Sequence, residues 1–254
     1  MTDYFRFKHF TIWQDECAMK VGTDGVLLSA WASSLLSTCH AAVLDRPTAS
    51  LLDIGTGTGL IAMHLSAEHP DIKALAIDID PQSAAQAQKN VEAAGMSHRI
   101  EVRTLDFARP EAIKELTDTA FDIIVSNPPF YEEDTHNRDR REDTAKHTTT
   151  LTFAQLTAGI DTLMSRDGVA YLIVPYPVGV RLIALCAEHC LYLTHRCAVY
   201  TSMRNHRRQQ PQRVLLAFRR TLQPTITTDL VLTDEDGTPT QQFRQLTSKM
   251  YEEK

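Results

Sequence analysis

Residues 121–130 read Phe-Asp-Ile-Ile-Val-Ser-Asn-Pro-Pro-Phe, a mostly apolar run that leads into a polar turn with two prolines. The run from Phe121 to Ser126 is rich in aromatic and β-branched residues, which predicts a buried strand of a parallel sheet. Open α/β sheets bind their ligands outside the carboxyl ends of the strands. The turn that follows Ser126 is therefore the first candidate for a functional site.

The turn carries a specific set of binding groups. Its two prolines have no backbone N–H, so Pro128 and Pro129 leave carbonyl oxygens and the Asn127 side chain as acceptors, with Phe130 as a flat apolar face beside them. Two acceptors and an aromatic ring suit a planar ring with an exocyclic amino group, such as a base flipped out of a stack. We therefore predict Asn127, Pro128, Pro129 and Phe130 as catalytic residues, in preference to an ordinary proline turn.

A second strand, from Leu51, runs into Asp53-Ile-Gly-Thr-Gly-Thr-Gly59 and then into an amphipathic helix over Leu60 to His69. Glycines at such a turn let the backbone approach a ligand closely. The last glycine comes one residue earlier than in the dinucleotide pattern, and Asp53 would repel a pyrophosphate but accept from an ammonium group. The loop thus favours the methionine part of S-adenosylmethionine over NAD, with binding residues Asp53, Gly55, Thr56, Gly57 and Gly59.

Further cofactor residues are predicted where other strands end. The strand Lys73 to Asp78 ends in an acid that can accept from both ribose hydroxyls, and Ile79 follows it. The strand Arg99 to Leu105 leads to Asp106, which could accept from the adenine amino group, and to Phe107, which could stack on the ring. We also assign Asn127 to the cofactor site, together with Lys20 and Thr23. Lys20 and Thr23 lie at the start of a helix whose cap is predicted to be Thr23 or Asp24; the segment is either a lid over the cofactor or a simple helix start.

The whole chain predicts a Rossmann-like α/β fold, and its resemblance to known enzymes implies the Rossmann-like methyltransferase form of that fold. We expect a mostly parallel seven-stranded sheet with an antiparallel closing strand and helices on both faces. Three regions are expected: an N-terminal extension over residues 1–50 that covers the cofactor site and an edge of the sheet, a core over 51–220, and a C-terminal extension over 221–254 that packs on the core. The C-terminal region is predicted to contain a strand from Thr225 to Leu232, a turn at Asp236-Gly237 and a short helix.

Composition excludes several classes of protein. The 254 residues are 43% hydrophobic, with no long apolar run and no signal-like N-terminus, so we expect a cytoplasmic protein without membrane association. The five cysteines form no Cys-x-x-Cys pair, which predicts no metal site. The formal net charge of −6 argues against nucleic-acid binding through a global positive field.

Two segments suggest contact with a substrate. The one clearly basic stretch lies between the last two predicted core strands and holds Arg204, His206, Arg207, Arg208 and Arg213, with no acid among them. It predicts either an RNA-contacting surface, through the four arginines, or a solvated hairpin tip. Residues 131–150 mix charges of both signs with almost no aliphatic side chains, which predicts a solvated loop or a lid that orders on substrate.

These motifs carry a resemblance to known enzymes. Asp53 to Gly59, Asp78 and Asn127-Pro-Pro-Phe130 are similar to the motifs of Rossmann-type S-adenosylmethionine-dependent amino-methyltransferases. More narrowly, three segments resemble the bacterial tRNA(Val) adenine N6-methyltransferase family: Cys17-Ala-Met-Lys-Val-Gly-Thr-Asp-Gly-Val26, Thr148-Thr-Thr-Leu151 and Gln212-Arg-Val-Leu-Leu-Ala-Phe218.

The family resemblance implies methylation of the adenosine just 3′ of the tRNA anticodon, with S-adenosylmethionine as cofactor and no metal. One departure is Phe130, where this family commonly has Tyr; Phe occurs there in some guanine N2-methyltransferases. Phe130 thus leaves a ribosomal RNA guanine N2-methyltransferase open. The same turn also serves protein glutamine N5-methyltransferases, and it does not exclude a DNA adenine methyltransferase. A nucleoside- or RNA-binding module without catalysis is the alternative of a different class.

Overall fold

The structure is a computed structural model that describes residues 4–15, 20–45, 47–128 and 151–251. The predicted catalytic residues Pro129 and Phe130 lie outside the described residues. So does the predicted loop over 131–150.

The described chain forms a two-stranded sheet and a larger, eight-stranded mixed sheet. The small sheet pairs β1 with β2. The large sheet has the order β10-β8-β9-β7-β6-β3-β4-β5, in which β9 runs antiparallel to β7 and β8 and all other neighbours are parallel. The strands are β1 (Tyr4–Arg6), β2 (Thr11–Trp13), β3 (Ala49–Ile54), β4 (Ile72–Asp78), β5 (Ile100–Thr104), β6 (Phe121–Ser126), β7 (Met164–Pro175), β8 (Tyr192–Ser202), β9 (Arg213–Arg219) and β10 (Ile226–Thr233).

This architecture confirms the predicted Rossmann-like methyltransferase fold, with one addition. The predicted C-terminal strand becomes β10, an eighth strand that pairs in parallel with β8 from Ile226 to Thr233. The backbone groups on this side of β8 would otherwise be an unpaired sheet edge, which proteins generally cover. The predicted C-terminal extension thus contributes a strand of its own to the core sheet.

The described helices are α1 (Thr23–Leu36), α2 (Leu60–Glu68), α3 (Pro81–Ala93), α4 (Pro110–Leu116), α5 (Phe153–Leu163), α6 (Tyr176–Glu188), α7 (Met203–Arg207) and α8 (Gln241–Thr247), with a 3-10 turn at Ala41–Leu44. Helix α3 has capping residues at both ends: the Asp80 side chain accepts from the backbone of Gln82 and Ser83, Pro81 is the first residue, and Gly95, just after the helix, has a φ of 67°. Sequence analysis missed α4 and α7, which are both short. No helix of the described residues is long and apolar enough to cross a membrane.

Alternate residues of the central strands bury opposite faces of the large sheet. Leu51 and Ile123 belong to an apolar cluster shared with α1 and α2. Their neighbours Leu52 and Ile124 belong to a second cluster, shared with α5 and α6. Because both faces are covered, the central strands are apolar throughout, as residues 121–126 predicted.

The pairing of β3 with β6 is reinforced by side chains at both ends. At the amino end, Asp122 Oδ2 accepts from the Ser50 backbone N–H at 3.1 Å and from Ser50 Oγ at 3.0 Å. At the carboxyl end, the Ser126 hydroxyl donates to the Ile54 carbonyl at 2.8 Å. A slip of this pair would leave several buried polar groups without partners, so the register between the two strands is strongly specified.

The N-terminal hairpin does not cover an edge of the large sheet as predicted. It packs instead on α3 and on the end of the chain, where the Lys8 backbone N–H donates to the Met250 carbonyl at 2.8 Å and the Phe7 ring stacks on Tyr251 at 5.7 Å. The reason is that buried Phe7 and Ile12 find their apolar partners in the cluster on the α1–α2 side of the sheet.

Candidate functional site

The carboxyl ends of β3, β4 and β6 bring the two predicted motifs together. Ile54, the last residue of β3, pairs with Ile77 of β4 on one side and with Ser126 of β6 on the other. The loop after β3 therefore starts beside the turn after β6. This edge of the sheet is where the sequence predicted both the cofactor and the target base.

The loop after β3 is held in a conformation that needs glycine. Gly55, Gly57 and Gly59 have φ values of 73°, 57° and 86°, in the left-handed region. The backbone N–H groups of Gly55 and Thr56 donate to the Ile77 carbonyl, each at 2.9 Å. Apart from the adjacent residues of the chain, a Cβ atom at Gly55 or Gly57 would meet no atom of the described residues within 4 Å, so a ligand could come close to the backbone there.

Asp53 is fully buried beneath this loop. Its Oδ2 accepts from the Thr56 hydroxyl at 2.7 Å and from the Ala62 backbone N–H at 3.2 Å, whereas its Oδ1 has no hydrogen-bond partner among the described residues. Burial raises the pKa of Asp53 to about 7, against the two hydrogen bonds, which lower the pKa. An acceptor without a partner and a carboxylate that is costly to ionise both favour a cationic group as ligand.

Asp78 connects the loop to the end of β4. Its Oδ2 accepts from the Gly57 N–H at 2.8 Å and its Oδ1 from the Asp80 N–H at 2.9 Å. Burial raises the pKa of Asp78, and these hydrogen bonds oppose the rise. Ile79 follows with 38% of its side chain exposed, an apolar surface next to the acid. The predicted pair Asp78 and Ile79 is thus placed together at the site.

Asp106 lies in the turn after β5, whereas Phe107 is buried in the core. Asp106 Oδ2 accepts from Arg109 Nε at 3.0 Å and its Oδ1 from the Ala108 N–H at 3.0 Å, in the turn after β5. Phe107 is buried in the cluster with α5, close to Gly159, and its ring is not open to a ligand in this structure. The Gly159 position, which leaves room for the ring, explains why Phe107 turns into the core.

Asn127 and Pro128 follow β6 directly and are the two described residues of the predicted catalytic turn. The Asn127 side-chain oxygen is buried and has no hydrogen-bond partner among the described residues. A buried acceptor without a partner costs free energy, roughly 1–3 kcal/mol, which a ligand that donates a hydrogen bond would recover. The turn therefore presents an unmet acceptor next to the glycine loop.

The start of α1 lies beside the same loop. Gly25 approaches Leu60, the first residue of α2, because an ideal Cβ at Gly25 would stand 3.4 Å from the Leu60 side chain. Lys20 and Thr23 are exposed. The predicted cap at Thr23 or Asp24 is wrong: the N-cap is Gly22, which has no side-chain cap. Asp24 instead forms an ion pair with Arg213, Oδ2 to Nε at 2.8 Å.

The predicted basic patch is partly neutralised by acids from distant sequence. Arg207 pairs with Glu235, His206 Nε2 lies 3.1 Å from Asp229 Oδ2, and Arg213 pairs with Asp24. Arg204 and Arg208 are exposed on and after α7. Since β8 runs parallel to β7 and β6, α7 follows its carboxyl end and lies at the same edge of the sheet as the glycine loop and Asn127.

Sequence analysis missed Asn90, which joins the N-terminal hairpin to the glycine loop. Asn90 is fully buried on α3; its Oδ1 accepts from the Trp13 N–H, and its Nδ2 donates to the carbonyls of Trp13 and Thr58, each at 2.9 Å. The available signal was an amide on the inner face of a helix otherwise lined by Ala84, Ala87 and Val91. Groups of three or more His, Cys, Asp or Glu able to hold a metal are absent from the described residues.

Relatives of the chain identify its family. Residues 32–149 match the model of the methyltransferase small domain. Proteins named tRNA1(Val) (adenine(37)-N6)-methyltransferase are 34% identical to the chain in Bacteroides thetaiotaomicron, over 98% of this chain and 97% of that protein, and in Photorhabdus laumondii, over 98% and 95%. The chain belongs to the tRNA1(Val) (adenine(37)-N6)-methyltransferase family. The resemblance stated from the sequence motifs is thereby confirmed.

Solved structures agree with this family at the level of the fold. A protein described as a predicted O-methyltransferase from Agrobacterium tumefaciens superposes with a TM-score of 0.66 at 17% identity, over 91% of this chain and 98% of that chain. A putative RNA methyltransferase from Pyrococcus horikoshii gives a TM-score of 0.51 at 18% identity, over 75% and 84%. These identities are low, so the two likenesses show a methyltransferase fold alone.

We expect Asn90→Ala to destabilise the protein by about 2–4 kcal/mol, because it leaves the Trp13 N–H and the carbonyls of Trp13 and Thr58 without partners. Urea unfolding would measure the loss. Gln88→Ala is the matched control on the same helix, since Gln88 makes one exposed side-chain hydrogen bond, to Glu92, and should cost less than about 1 kcal/mol. Equal stabilities of the two variants would contradict the joining role of Asn90.

Proposed function

We propose that this protein transfers a methyl group from S-adenosylmethionine to N6 of an adenosine in tRNA, the adenosine 3′ of the anticodon in valine tRNA. The observation that carries the proposal is the buried Asn127 oxygen, which has no hydrogen-bond partner among the described residues, beside a glycine loop that faces space no described residue fills. The names of the relatives, which match nearly the whole chain, support the choice of substrate. We expect the protein to act on its tRNA in the cytoplasm.

The residues after β3 and β4 fit S-adenosylmethionine. The unpartnered Asp53 oxygen would take the ammonium group, and the open backbone at Gly55 and Gly57 would accommodate the methionine part. Asp78 would accept from the ribose hydroxyls through its remaining lone pairs, with Ile79 as an apolar surface for the adenine. The first turn of α1, with Lys20 and Thr23, would cover this pocket as part of the 1–50 extension.

Bound S-adenosylmethionine supplies an electrophilic methyl group on a sulfonium. The protein has to present the adenine amine to it in line, and that amine is a poor nucleophile because its lone pair is delocalised into the ring. The Asn127 oxygen and the Pro128 carbonyl would each accept a hydrogen bond from one N–H group of the adenine amine. These two hydrogen bonds would turn the nitrogen lone pair toward the methyl group. Phe130 would stack on the flipped base, as the motif predicts. No general base on the protein is needed to start the reaction: as the N–C bond forms, the S–C bond would break to leave a neutral thioether, and the methylated nitrogen would then release its extra proton to water.

The RNA would approach from the edge of the sheet that carries these turns. Arg204 and Arg208 on and after α7 are the arginines of the predicted patch that are exposed and outside the ion pairs described above. They would contact phosphates of the anticodon loop and position it. The turn at Asn127 would select the base that is methylated. Arg207 and Arg213 are held by Glu235 and Asp24, so a phosphate contact from either arginine would have to compete with that acid.

We expect Asn127→Ala to lower the rate of the methyl-transfer step about 10²- to 10³-fold, because one preorganised acceptor for the reacting amine is lost. Single-turnover methylation of tRNA with saturating S-adenosylmethionine measures this step. Gln82→Ala, an exposed polar residue on α3, should react at the parent rate. Transfer by Asn127→Ala at the parent rate would exclude this assignment, and an unchanged S-adenosylmethionine affinity would localise the loss to the base.

The raised pKa of Asp53 predicts pH-dependent cofactor binding. Below a pKa of about 7, Asp53 is protonated in the free protein and must lose its proton to accept from an ammonium group. The affinity should therefore rise severalfold between pH 6 and pH 7.5, and fall again above about pH 8, where the α-amino group of the ligand loses its own proton. Calorimetric titration with S-adenosylmethionine at these pH values measures this change.

Asp53→Asn should bind S-adenosylmethionine more weakly than the parent at pH 8 and should lack this rise. Asp80→Asn is the isosteric control, since asparagine also caps helices well and Asp80 should keep its capping role at α3. The prediction fails if the Asp53→Asn profile matches that of the parent.

A further inference from the structure

The outward face of the N-terminal hairpin carries two aromatic rings that the protein itself does not cover. Tyr4 and Trp13 are cross-strand partners, and their ring centroids lie 5.1 Å apart. Their exposed fractions are 43% and 45%. The other tryptophan, Trp31, is 8% exposed, so the exposure of Trp13 is specific to its place. Aromatic rings of this size usually bury most of their surface, and an exposed pair indicates a contact surface.

The same face also carries a positive charge. Side chains alternate along a strand, so Arg6, two residues after Tyr4, points to the side of Tyr4 and Trp13, with Thr11 as its cross-strand partner. Arg6 is exposed and has no acidic partner among the described residues. The opposite face, with Phe7 and Ile12, is buried in the core. The outward side of the two strands thus combines two rings with one cation, and neither β1 nor β2 contains an acid.

This face is fixed next to the proposed cofactor loop. Asn90 holds the Trp13 backbone and the Thr58 carbonyl with one side chain, as described above. The Val21 N–H, one residue after exposed Lys20, donates to the buried Gln14 side chain at 2.9 Å, so Lys20 also lies near Trp13. Thr58 lies near the end of the glycine loop. The turn at Asn127 lies near the start of that loop, where Ile54 pairs with Ser126.

We propose that Tyr4, Trp13 and Arg6 form a stacking platform for an unpaired base of the substrate RNA, next to the base that enters the Asn127 turn. The inference rests on the proposed function, because it assigns the RNA a second contact beside the same site. Rings stack on any base, and an arginine beside them contacts the phosphate that follows. RNA is the occupant that fits, since single-stranded loops splay bases out onto exposed aromatic side chains. An uncharged apolar partner would leave Arg6 without a counterion.

Steady-state methylation of tRNA tests the platform. The double variant Tyr4→Ala, Trp13→Ala should raise KM for tRNA about tenfold or more, from the loss of one stacked base, with kcat at saturating tRNA within about twofold of the parent. Its affinity for S-adenosylmethionine should not change, because Asn90 binds the backbone of Trp13 and not its ring. The ring-retaining variant Tyr4→Phe, Trp13→Phe should restore the parent KM. Arg6→Gln should reduce the slope of log KM against log salt by about 1.

Leu222→Ala, Ile226→Ala is the matched control. These two residues expose 74% and 51% of apolar side chains near the start of β10, away from the hairpin, and their loss should leave KM unchanged. A KM for the Tyr4 and Trp13 double alanine variant equal to the parent value would overturn the platform while leaving the methyltransferase assignment intact.

Fluorescence gives a test that does not depend on turnover. Trp31→Phe leaves Trp13 as the single tryptophan of the chain, and titration with a valine tRNA anticodon stem-loop should quench its emission to saturation. Absence of quenching at concentrations where the parent binds this RNA by filter retention, or absence of any binding, would overturn the platform. Failure of the proposed function is a separate result: the parent transfers no methyl group to tRNA, whatever the fluorescence shows.

Discussion

The parallel pairing of β3 with β6 is the constraint on which the site depends. Ser50 and Asp122 hold the amino ends of the two strands, and Ser126 donates to Ile54 at the carboxyl ends. Each strand continues into one of the two functional turns, so this register sets the position of the glycine loop relative to Asn127. A shift by one residue would turn the apolar side chains of one strand to the wrong face and separate the two turns.

Around that pairing, the site holds polar groups in places where they are costly. Asp53 is ionisable and fully buried, Asp78 accepts from the loop with one oxygen and from the Asp80 N–H with the other, and the Asn127 oxygen lacks a partner among the described residues. A fold that needed only stability would replace such groups. These groups fit a site for a cationic cofactor and an amino-bearing base. The two ligands would supply the hydrogen-bond donors that the acceptors lack in the free protein.

The sequence predicted those strands and loops whose pattern lies within one short segment of the chain. The apolar run of residues 121–126 forms β6, and the glycine loop follows β3, as the sequence predicted. The errors concern partners that are distant in sequence. Asp24 pairs with Arg213 across 189 residues instead of capping α1, and Phe107 turns into a space that Gly159 leaves open. A sequence window around either residue contains no signal for these contacts.

The account's central claim is that the Asn127 turn presents an adenine of tRNA to S-adenosylmethionine. Its most direct test is methyl transfer from labelled S-adenosylmethionine to bulk tRNA from a strain that lacks this protein, followed by nucleoside mass spectrometry of separated tRNAs. The account predicts new N6-methyladenosine in the valine tRNA fraction. Label found only in protein or only in ribosomal RNA, or no label at all, would contradict it and would indicate a glutamine enzyme, a guanine enzyme or a binding module, respectively.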